Sequence, residues 1–364
     1  SSGYSSQKLG VTDTGAASGN TAAVQTIGSG GNSTNRLLIT GGWDLSTENQ
    51  TGFTWFRQMH GTFTNRYGRG IYINQLGQYI TIEKIGLLRY YTGLYFYGGV
   101  GNHNVNNVYC ASCSGSGVSH YSGSSNNNFE NIVSISNGEN GMYFEASSNC
   151  NINNCILNAN TNGILFYYVC TNNKITNVIA NYNACGIKFS DCGNNINEIQ
   201  DSTFNKNTFC GIYLYYYTRY VHIKNVTCNY NKYGIYLQKN STANIIESAI
   251  CSFNTTHGIF YEGSSSQNTI ISATTNSNGV NGVDYSQSNN NIIISLIANS
   301  NVGNGVNLNN AHNNLIKKIT ANGNSKVFYV NGLNNICYKL IKGNSDVLYY
   351  TLPNSCKYPE VTLN

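Results

Sequence analysis

The sequence predicts an all-β protein whose chain winds into a parallel β-helix of about twelve coils. Three observations support this prediction. A phrase of glycine followed by apolar residues recurs at steps of 22 to 25 residues, the apolar positions in each phrase alternate, and paired asparagines precede the glycine. A repeat of this length is too short to include a helical crossover, so consecutive strands must stack directly as the chain coils.

Each repeat is marked by a glycine, as in GIYL from Gly234. The residue after the glycine is apolar in every repeat, and the residue three after it is mostly apolar, which predicts a strand with one buried face. A second apolar cluster follows about 11 to 16 residues later, so each repeat supplies two or three short strands. The marker glycines are Gly70, Gly93, Gly117, Gly141, Gly163, Gly186, Gly211, Gly234, Gly258, Gly282 and Gly305.

Two asparagine columns, written N-x-N, precede the marker glycines. Asparagine tolerates the left-handed backbone of a sharp corner, and stacked amides hydrogen-bond from coil to coil. We therefore interpret N-x-N as a corner, with the glycine permitting the next turn. The columns are Asn158, Asn181, Asn205, Asn229, Ser252, Asn276, Asn299 and Asn322, then Asn160, Asn183, Asn207, Asn231, Asn254, Asn278, Asn301 and Asn324.

The pattern G-I-x-L…N-N-x-I…N-x-N resembles the right-handed parallel β-helix repeats of the pectate-lyase-like superfamily, in particular the short NosD-type repeats of secreted and surface proteins. LLITGGWD, from Leu37 to Asp44, is similar to the entry strand of extracellular β-helix proteins. The resemblance covers roughly residues 37–340 and implies a right-handed, single-stranded β-helix. It implies no single function, since this fold carries lyases, hydrolases, adhesins and structural proteins.

The repeat limits predict three segments. Residues 1–36 are rich in Ser, Gly and Thr and are predicted to form an extended arm. Residues 37–336 are predicted to form the β-helix, and residues 337–364 a C-terminal cap or tail.

Composition excludes several classes of partner. Charged residues make up 10% of the chain, and the net charge of +5 is scattered, with Lys317–Lys318 the only basic doublet, so no nucleic-acid surface is expected. No apolar run is long enough to span a membrane. Twelve cysteines and a start at Ser1 without Met favour a secreted, extracellular protein. Five sequons permit glycosylation, at Asn32, Asn49, Asn225, Asn240 and Asn254.

Several cysteines occupy matching columns of adjacent coils, where strand spacing suits a disulfide. The predicted pairs are Cys170 with Cys192, Cys185 with Cys210 and Cys228 with Cys251, and Cys337 and Cys356 could tie down the C-terminal segment. The alternative is a reduced, buried cysteine ladder.

A second group of sulfur and nitrogen donors has the sequence spacing H-x6-C-x2-C-x6-H. His103, Cys110, Cys113 and His120 are secondary candidates for a zinc or copper site. The spacing does not match that of zinc fingers and His120 falls in an inward column, so a structural or disulfide role is favoured and no cofactor is predicted. The NosD resemblance implies a link to copper handling, although such repeats alone carry no metal site.

The hypothesis of a glycosidase requires suitable carboxylates, since such an enzyme uses two that lie about 5 to 9.5 Å apart. The best pair is Glu262 with Asp284, in outward columns of adjacent coils and about 8 Å apart by strand geometry. The sequence has no acidic cluster with a basic partner for a calcium-dependent lyase. These residues are therefore secondary catalytic candidates, and the chain is expected to be non-catalytic.

Aromatic residues fill the outward columns of the glycine-marked strands. A stripe of exposed rings on a rigid sheet predicts a contact surface for another subunit or for a glycan, although tyrosine is also a favoured strand residue. The predicted interface residues are Tyr72, Tyr95, Tyr97, Tyr143, Tyr167, Tyr213, Tyr215, Tyr236 and Phe260.

Three functions remain open from the sequence. The first is a non-catalytic extracellular structural protein, a self-assembling filament or surface-layer subunit joined through its arm, helix ends and tyrosine-rich face, whose partners are copies of itself. The second is a surface adhesin or glycan-binding module. The third is a polysaccharide lyase or glycoside hydrolase.

Overall fold

The computed structural model of the chain describes residues 23–27, 30–41, 43–44, 49–50, 52–57, 68–75, 77–99, 101–193, 195–343, 348–350, 356–357 and 360–363. Within these residues all regular structure is β. The strands are β1 (Ala23–Ile27), β2 (Leu37–Thr40), β3 (Trp43–Asp44), β4 (Asn49–Gln50), β5 (Thr54–Arg57), β6 (Arg69–Ile73), β7 (Ile80–Leu88), β8 (Thr92–Tyr97), β9 (Asn104–Ala111), β10 (Val118–Tyr121), β11 (Asn128–Glu130), β12 (Val133–Ile135), β13 (Asn140–Glu145), β14 (Asn151–Asn153), β15 (Asn162–Tyr167), β16 (Lys174–Thr176), β17 (Cys185–Ser190), β18 (Asn197–Gln200), β19 (Cys210–Tyr215), β20 (Val221–Lys224), β21 (Tyr233–Gln238), β22 (Ile245–Glu247), β23 (His257–Glu262), β24 (Thr269–Ile271), β25 (Ala273–Thr274), β26 (Val283–Ser286), β27 (Ile292–Ile293), β28 (Leu296–Ile297), β29 (Asn304–Asn309), β30 (Leu315–Ala321), β31 (Lys326–Asn331), β32 (Asn335–Lys342), β33 (Leu348–Tyr350), β34 (Cys356–Lys357) and β35 (Glu360–Leu363).

Apart from β3 and β4, which pair antiparallel with each other, the strands stack into two long parallel sheets, which confirms the predicted parallel β-helix. Sheet A holds the glycine-marked strands in the order β1-β6-β8-β10-β13-β15-β17-β19-β21-β23-β26-β29-β31-β33. Sheet B is built from the second apolar cluster of each repeat, for example β16-β18-β20-β22. The register advances by one repeat per coil, so that Ile212 lies opposite Ile235 and Ile235 opposite Ile259.

The core runs along the axis between the two sheets. The residues one and three after each marker glycine point inward and are fully buried, as Ile187 and Phe189 are. Like residues stack on like: the rings of Phe144, Phe166 and Phe189 lie parallel, with centroids 4.9 and 4.7 Å apart. Each buried aliphatic or aromatic side chain contributes about 1.5–3 kcal/mol of hydrophobic free energy, repeated coil after coil.

Two asparagine ladders run up the N-x-N corner, as predicted, and they run in opposite directions. In the outer ladder, Asn181 Oδ1 accepts a hydrogen bond from the backbone N–H of Asn205 on the next coil (2.7 Å). In the inner, buried ladder, the Oδ1 of Asn231 accepts from the N–H of Asn207 on the preceding coil (2.8 Å). The two side chains therefore tie each corner to the coils above and below it.

A third ladder leads into sheet B and includes the N-N-x-I asparagines. There Asn268 Oδ1 accepts from the N–H of Asn244, and Asn291 Oδ1 accepts from the N–H of Asn268, both at 2.9 Å. These amides are buried and replace hydrogen bonds that the backbone at a bend cannot make with its neighbours.

The structure corrects the conformational roles assigned to two residue types. At the N-x-N corner the left-handed residue is the middle one, such as Tyr182 or Tyr230 (φ 60° each), while the asparagines supply the hydrogen bonds. The marker glycines have no left-handed φ. A Cβ on Gly211 would lie 2.7 Å from Gly234 O and 2.8 Å from Cys228 Cβ, so glycine is required by the close approach of the next coil.

Strand pairing extends beyond both predicted boundaries of the β-helix. Ala23–Ile27, inside the segment predicted as an arm, pairs in parallel with β6. Leu348–Tyr350 pairs with β31, and Glu360–Leu363 pairs with β32. The described parts of both flanks thus add strands to sheets A and B, and residues 1–22 lie outside the described residues.

None of the residues that the structure describes forms a helix with the length and apolarity of a membrane span.

Removing one inner-ladder amide should cost measurable stability. Asn231 also donates from Nδ2 to Phe204 O (3.0 Å), so Asn231→Ala leaves a buried N–H and a buried carbonyl unpaired. Each such group costs about 1–3 kcal/mol, and we expect a lower midpoint in denaturant unfolding followed by circular dichroism.

The matched control is Asn309→Ala, because Asn309 is exposed and its amide oxygen accepts only a long bond from Asn331 (3.4 Å). Equal midpoints for the two variants would contradict a structural role for the ladder.

Candidate functional site

The outward side of sheet A carries the predicted aromatic stripe, and only part of it is exposed. Tyr97 and Tyr167 are 43% and 46% exposed, whereas Tyr95, Tyr213 and Tyr236 are at most 9% exposed. The remaining predicted residues, Tyr72, Tyr143, Tyr215 and Phe260, are half-buried. The prediction of a continuous exposed stripe is therefore wrong for the three buried tyrosines.

The buried tyrosines are covered by neighbouring side chains: Tyr95 lies under the Arg69 guanidinium, 3.7 Å from its ring centroid, and Tyr213 and Tyr236 are covered by stacked rings. The Tyr213 ring lies parallel to that of Tyr236, at 5.0 Å and 4°, and Tyr236 lies parallel to Phe260, at 5.1 Å and 10°. Adjacent strands lie about 4.8 Å apart, so aromatic rings at matching positions of successive coils can stack face to face. Such a stack presents ring edges to solvent and leaves no ring face free for a sugar.

Exposed rings are concentrated instead where the chain leaves sheet A. We name this surface the aromatic corner and define it by Tyr167, Tyr168, Tyr215, Tyr216 and Tyr217. Tyr168, Tyr216 and Tyr217 have left-handed backbones (φ 56°, 49° and 52°), which is costly for bulky residues. The corner spans three coils, because Tyr167 lies opposite Ser190 and Ser190 opposite Tyr215.

Three cations border the aromatic corner. Lys239 Nζ donates to the Tyr215 hydroxyl (2.8 Å), and this bond lowers the pKa of Tyr215. Lys188 Nζ lies 5.1 Å from the Tyr215 ring centroid, and the Arg219 guanidinium lies 5.9 Å from that of Tyr217. Asp191 lies on the intervening coil, where its N–H donates to Tyr216 O (2.9 Å). Glu145 lies opposite Tyr167 on the preceding coil, so three cations and two carboxylates border the exposed rings and the balance is positive by one charge.

The carboxylates of the catalytic candidates, Glu262 and Asp284, are held by separate partners. Glu262 accepts from the Tyr236 hydroxyl and from Gln238 Nε2 (2.7 Å). Asp284 Oδ2 accepts from Asn281 Nδ2 (2.6 Å) and Asn307 Nδ2 (3.0 Å).

Asp284 is also covered, so that a glycosidic oxygen could not reach it. Asp284 is 6% exposed, and its Oδ1 atom is buried without a hydrogen-bond partner. His257 Nδ1 lies 3.7 Å from Asp284 Oδ2 and accepts the N–H of Asn281 (3.3 Å). Burial raises the pKa of the Asp284 carboxyl to about 6 and lowers the pKa of His257 to about 4.

The three predicted cysteine pairs are each brought together across adjacent coils. Cys185 and Cys210 are register partners, and their Sγ atoms lie 3.0 Å apart. The Cys170 thiol lies close enough to raise the pKa of Cys192, and the Cys251 thiol close enough to raise that of Cys228, each in addition to the effect of burial. Cys185 and Cys210 differ from the others by packing with Tyr213 and Tyr236 on the outward side of sheet A. Disulfide formation stays a prediction for all three pairs.

The fourth cysteine pair is only partly described. Cys337 is buried, and the backbone of Cys356 lies opposite Asn335 in the register of β32 with β34. The Cys356 side chain lies outside the described residues.

The two histidines among the metal candidates, His103 and His120, pack inside the core. His120 contacts Asn127 Nδ2 (2.9 Å) through Nε2 and Ser147 Oγ (3.1 Å) through Nδ1. The rings of His103 and His120 each lie 5.0 Å from Phe96. Burial lowers the pKa of His103 to about 3 and holds the pKa of His120 well below its usual value, so both histidines are neutral packing residues.

The sequons differ in accessibility. Asn32 and Asn225 are exposed and Asn240 is half-buried. Asn254 is buried in the inner ladder, where its Oδ1 accepts from Asn231 N (2.9 Å), so it is not available for glycosylation in the folded protein. The Asn49 side chain lies outside the described residues.

The repeat region matches the model of a known protein family. A family model described as periplasmic copper-binding protein (NosD) matches residues 56–219 and 133–293. A comparison with curated proteins found no match.

Two solved structures illustrate the likeness in fold. The periplasmic alginate epimerase AlgG is 15% identical, with 81% of this chain and 76% of that chain covered and a TM-score of 0.53. Tailspike protein 3 of bacteriophage CBA120 is 10% identical, with 85% of this chain and 49% of that chain covered and a TM-score of 0.55. At these identities the likeness supports the β-helix fold.

The described side chains do not fit the copper in the family's description. No three His, Cys, Asp or Glu side chains among them converge on one point. Met142 lies in the apolar core, and Met59 lies outside the described residues. We therefore assign copper no role at the described residues.

The outward cysteine pair should be linked when the protein is isolated from an oxidising compartment. We expect peptide mapping without reduction, after alkylation of free thiols, to recover a Cys185–Cys210 cross-linked peptide. Cys155 is the control, since its thiol donates to Asn153 O (3.2 Å), and it should be recovered alkylated after unfolding. Alkylation of both Cys185 and Cys210 would show that the pair stays reduced.

The buried Asp284 carboxyl should make the fold less stable as the pH rises. Its pKa is raised from 3.8 to about 6, so between these values the folded state keeps a proton that the unfolded state releases, and stability falls. At pH 7 the buried charge costs about 3 kcal/mol. Asp284→Asn should therefore raise the melting temperature at neutral pH and leave it nearly unchanged near pH 4.

Asp201→Asn, which alters an exposed carboxylate, is the control and should change little at either pH. A stabilisation by Asp284→Asn of the same size at both pH values would rule out the titration of Asp284 as its cause.

Proposed function

The chain belongs to the family described as periplasmic copper-binding protein (NosD), and from that premise we propose that it is a secreted or periplasmic β-helix that binds an acidic polysaccharide at its aromatic corner. The observation that carries this proposal is the Tyr215 hydroxyl held by Lys239 (2.8 Å) among the exposed rings of Tyr216 and Tyr217. The site lies on rigid, hydrogen-bonded coils, so it needs little ordering before it binds.

The chemistry of the corner suits a polymer of acidic sugars. Exposed aromatic rings offer apolar faces for sugar rings together with a polar tip. Lys188, Lys239 and Arg219 are placed around these rings, and ammonium and guanidinium groups form charge-assisted hydrogen bonds with carboxylates or sulfates. A neutral polysaccharide would offer these cations no charged group to pair with.

The similar folds give this proposal limited further support. The epimerase AlgG is named for alginate, a polysaccharide, and has the same β-helix fold. The type of ligand is inferred here from the side chains of the corner.

The proposal selects the glycan-binding alternative over the homopolymer that the sequence favoured. The tyrosines expected to join subunits, Tyr95, Tyr213 and Tyr236, are covered by neighbouring rings, which removes one support for assembly through that face. Assembly through the arm and the helix ends stays a prediction that electron microscopy of the secreted protein would test.

Binding should be visible as retardation of the native protein in gels that contain alginate or pectate, and absent in gels with dextran. Lys188→Gln combined with Lys239→Gln should weaken retention by roughly fivefold to tenfold in dissociation constant, and added salt should weaken the wild type.

Lys206→Gln is the matched control, because Lys206 also donates to an exposed tyrosine hydroxyl, Tyr182 (3.2 Å), at the other corner of sheet A. Failure of the wild-type protein to bind any acidic polymer, or equal losses in the control, would refute the proposal.

A further inference from the structure

One exposed tyrosine lies outside the aromatic corner, at a bend where most other coils have asparagine. Tyr220 immediately precedes Val221, whose N–H donates to Asn244 Oδ1 (2.9 Å) in the third ladder. The residues with a left-handed backbone at this bend are Asn102, Asn126, Asn149, Asn172, Tyr220, Ala243, Gln267, Asn290, Asn313 and Asn334. Tyr220 is the one aromatic residue among them, although a left-handed backbone is strained for a bulky side chain and well tolerated by asparagine.

The fold does not need the Tyr220 ring. The residue is 46% exposed, and its side chain has no ring, cation or hydrogen-bond partner among the residues that the structure describes. The asparagines of the other coils form the same bend without a ring. A strained position that the fold does not require is typical of a ligand contact.

Tyr220 continues the line of exposed rings that begins in the aromatic corner. Tyr217 lies three residues earlier on the same coil, so the two Cα atoms are at most about 11 Å apart. The segment is fixed from both sides: the Tyr217 N–H donates to Lys239 O on the next coil (3.0 Å), and the Arg219 N–H donates to Cys192 O on the preceding coil (3.1 Å). Both rings are therefore mounted on a backbone that needs no ordering before a ligand binds.

The residue between these two rings is a cation without a partner in the described part of the chain. The Arg219 side chain forms no ion pair and no hydrogen bond with any described residue, and its Nε is buried without an acceptor. Its guanidinium lies 5.9 Å from the Tyr217 ring centroid. Because a guanidinium binds a carboxylate through two parallel N–H groups, Arg219 can hold the carboxylate of a sugar that contacts a neighbouring ring.

Carboxylates oppose a course of the polymer along the helix axis. The outward column that contains Tyr215 has a carboxylate at each end of the aromatic corner, and its register partners are Glu145, Tyr167, Ser190, Tyr215, Gln238 and Glu262. Asp191 lies on the coil between Tyr168 and Tyr216. An acidic polymer that followed the axis would pass these carboxylates, whereas residues 215–220 contain none.

We propose that the acidic polysaccharide lies across the coils, from Tyr215 past Arg219 to Tyr220, and that the Tyr220 ring is a second stacking surface for its sugars. This placement rests on the proposed function and adds to it the direction of the polymer and one binding residue. The polymer then contacts two bends of a single coil, and the two contacts strengthen each other because they are joined through the same chain.

Affinity electrophoresis of the full chain in gels with increasing alginate tests the role of Tyr220. Tyr220→Asn introduces the residue that the same bend has in other coils, and it should raise the dissociation constant roughly threefold to tenfold through loss of the ring. Its melting temperature should equal or exceed that of the wild type, since asparagine suits the left-handed backbone. Tyr220→Phe keeps the ring and should keep wild-type affinity.

Tyr230→Asn is the matched control, because Tyr230 is also exposed and left-handed but lies at the N-x-N corner. It should bind alginate like the wild type. Glu145→Gln and Glu262→Gln test the axial course. They lie three and two coils from Tyr215, about 14 and 10 Å away, which is about a Debye length or more at physiological salt, so a polymer that lies across the coils should bind both variants unchanged.

The outcomes separate this placement from the proposed function. Binding that is weakened in Tyr220→Asn and kept in Tyr220→Phe and Tyr230→Asn supports the placement. Wild-type affinity in Tyr220→Asn, an equal loss in Tyr230→Asn, or tighter binding in Glu145→Gln or Glu262→Gln overturns it while the polysaccharide site itself stands. A wild-type protein that no acidic polymer retards refutes the proposed function and this placement together.

Discussion

The fold depends on hydrogen bonds that run along the helix axis from each coil to the next. Strands supply them where the backbone is straight, and asparagine side chains supply them at the bends. At the N-x-N corner one amide column accepts from the coil above and the other from the coil below. A bend would otherwise leave buried backbone groups unpaired, so the sharp corners, and hence the flat sheets between them, exist because of these amides.

Once the axis is held in this way, the outward positions are free to serve other purposes. The inward columns need only matching apolar residues, and they show little variety along the molecule. The outward columns change from coil to coil. The aromatic corner and its lysines lie between residues 163 and 239, with a covered tyrosine stack beside them, and the column that starts the strands of sheet B changes from Lys174, Glu198 and His222 to Ile245 and Ile292. Different surfaces on one scaffold explain why the repeat alone indicates no activity.

The period and the asparagine columns were sufficient to predict the fold, since both follow from local rules that hold in every coil. The pairing of Cys185 with Cys210 follows from the same register. Exposure could not be predicted in this way. Tyr213 and Tyr236 alternate outward as expected, but whether they face solvent depends on ring stacking between coils. Likewise, the sequon at Asn254 is visible in the sequence, while its burial depends on the ladder. The requirement for Gly211 arises from the approach of Gly234 O, a contact between residues far apart in the sequence.

The asparagine ladders also set a problem of alignment during folding. Because successive coils offer nearly identical donors and acceptors, a growing end that paired one full repeat out of place would satisfy almost the same bonds. Exceptions in the columns break this degeneracy. Ser252 continues the outer ladder with a hydroxyl in place of an amide, since its Oγ accepts from Asn276 N (3.0 Å). Cys150 and Val221 occupy third-ladder positions where they donate an N–H but return no amide oxygen. A coil paired one repeat out of register would place these irregular positions opposite the wrong partners and lose hydrogen bonds. Sequence differences between repeats therefore favour the correct register over registers shifted by a whole repeat.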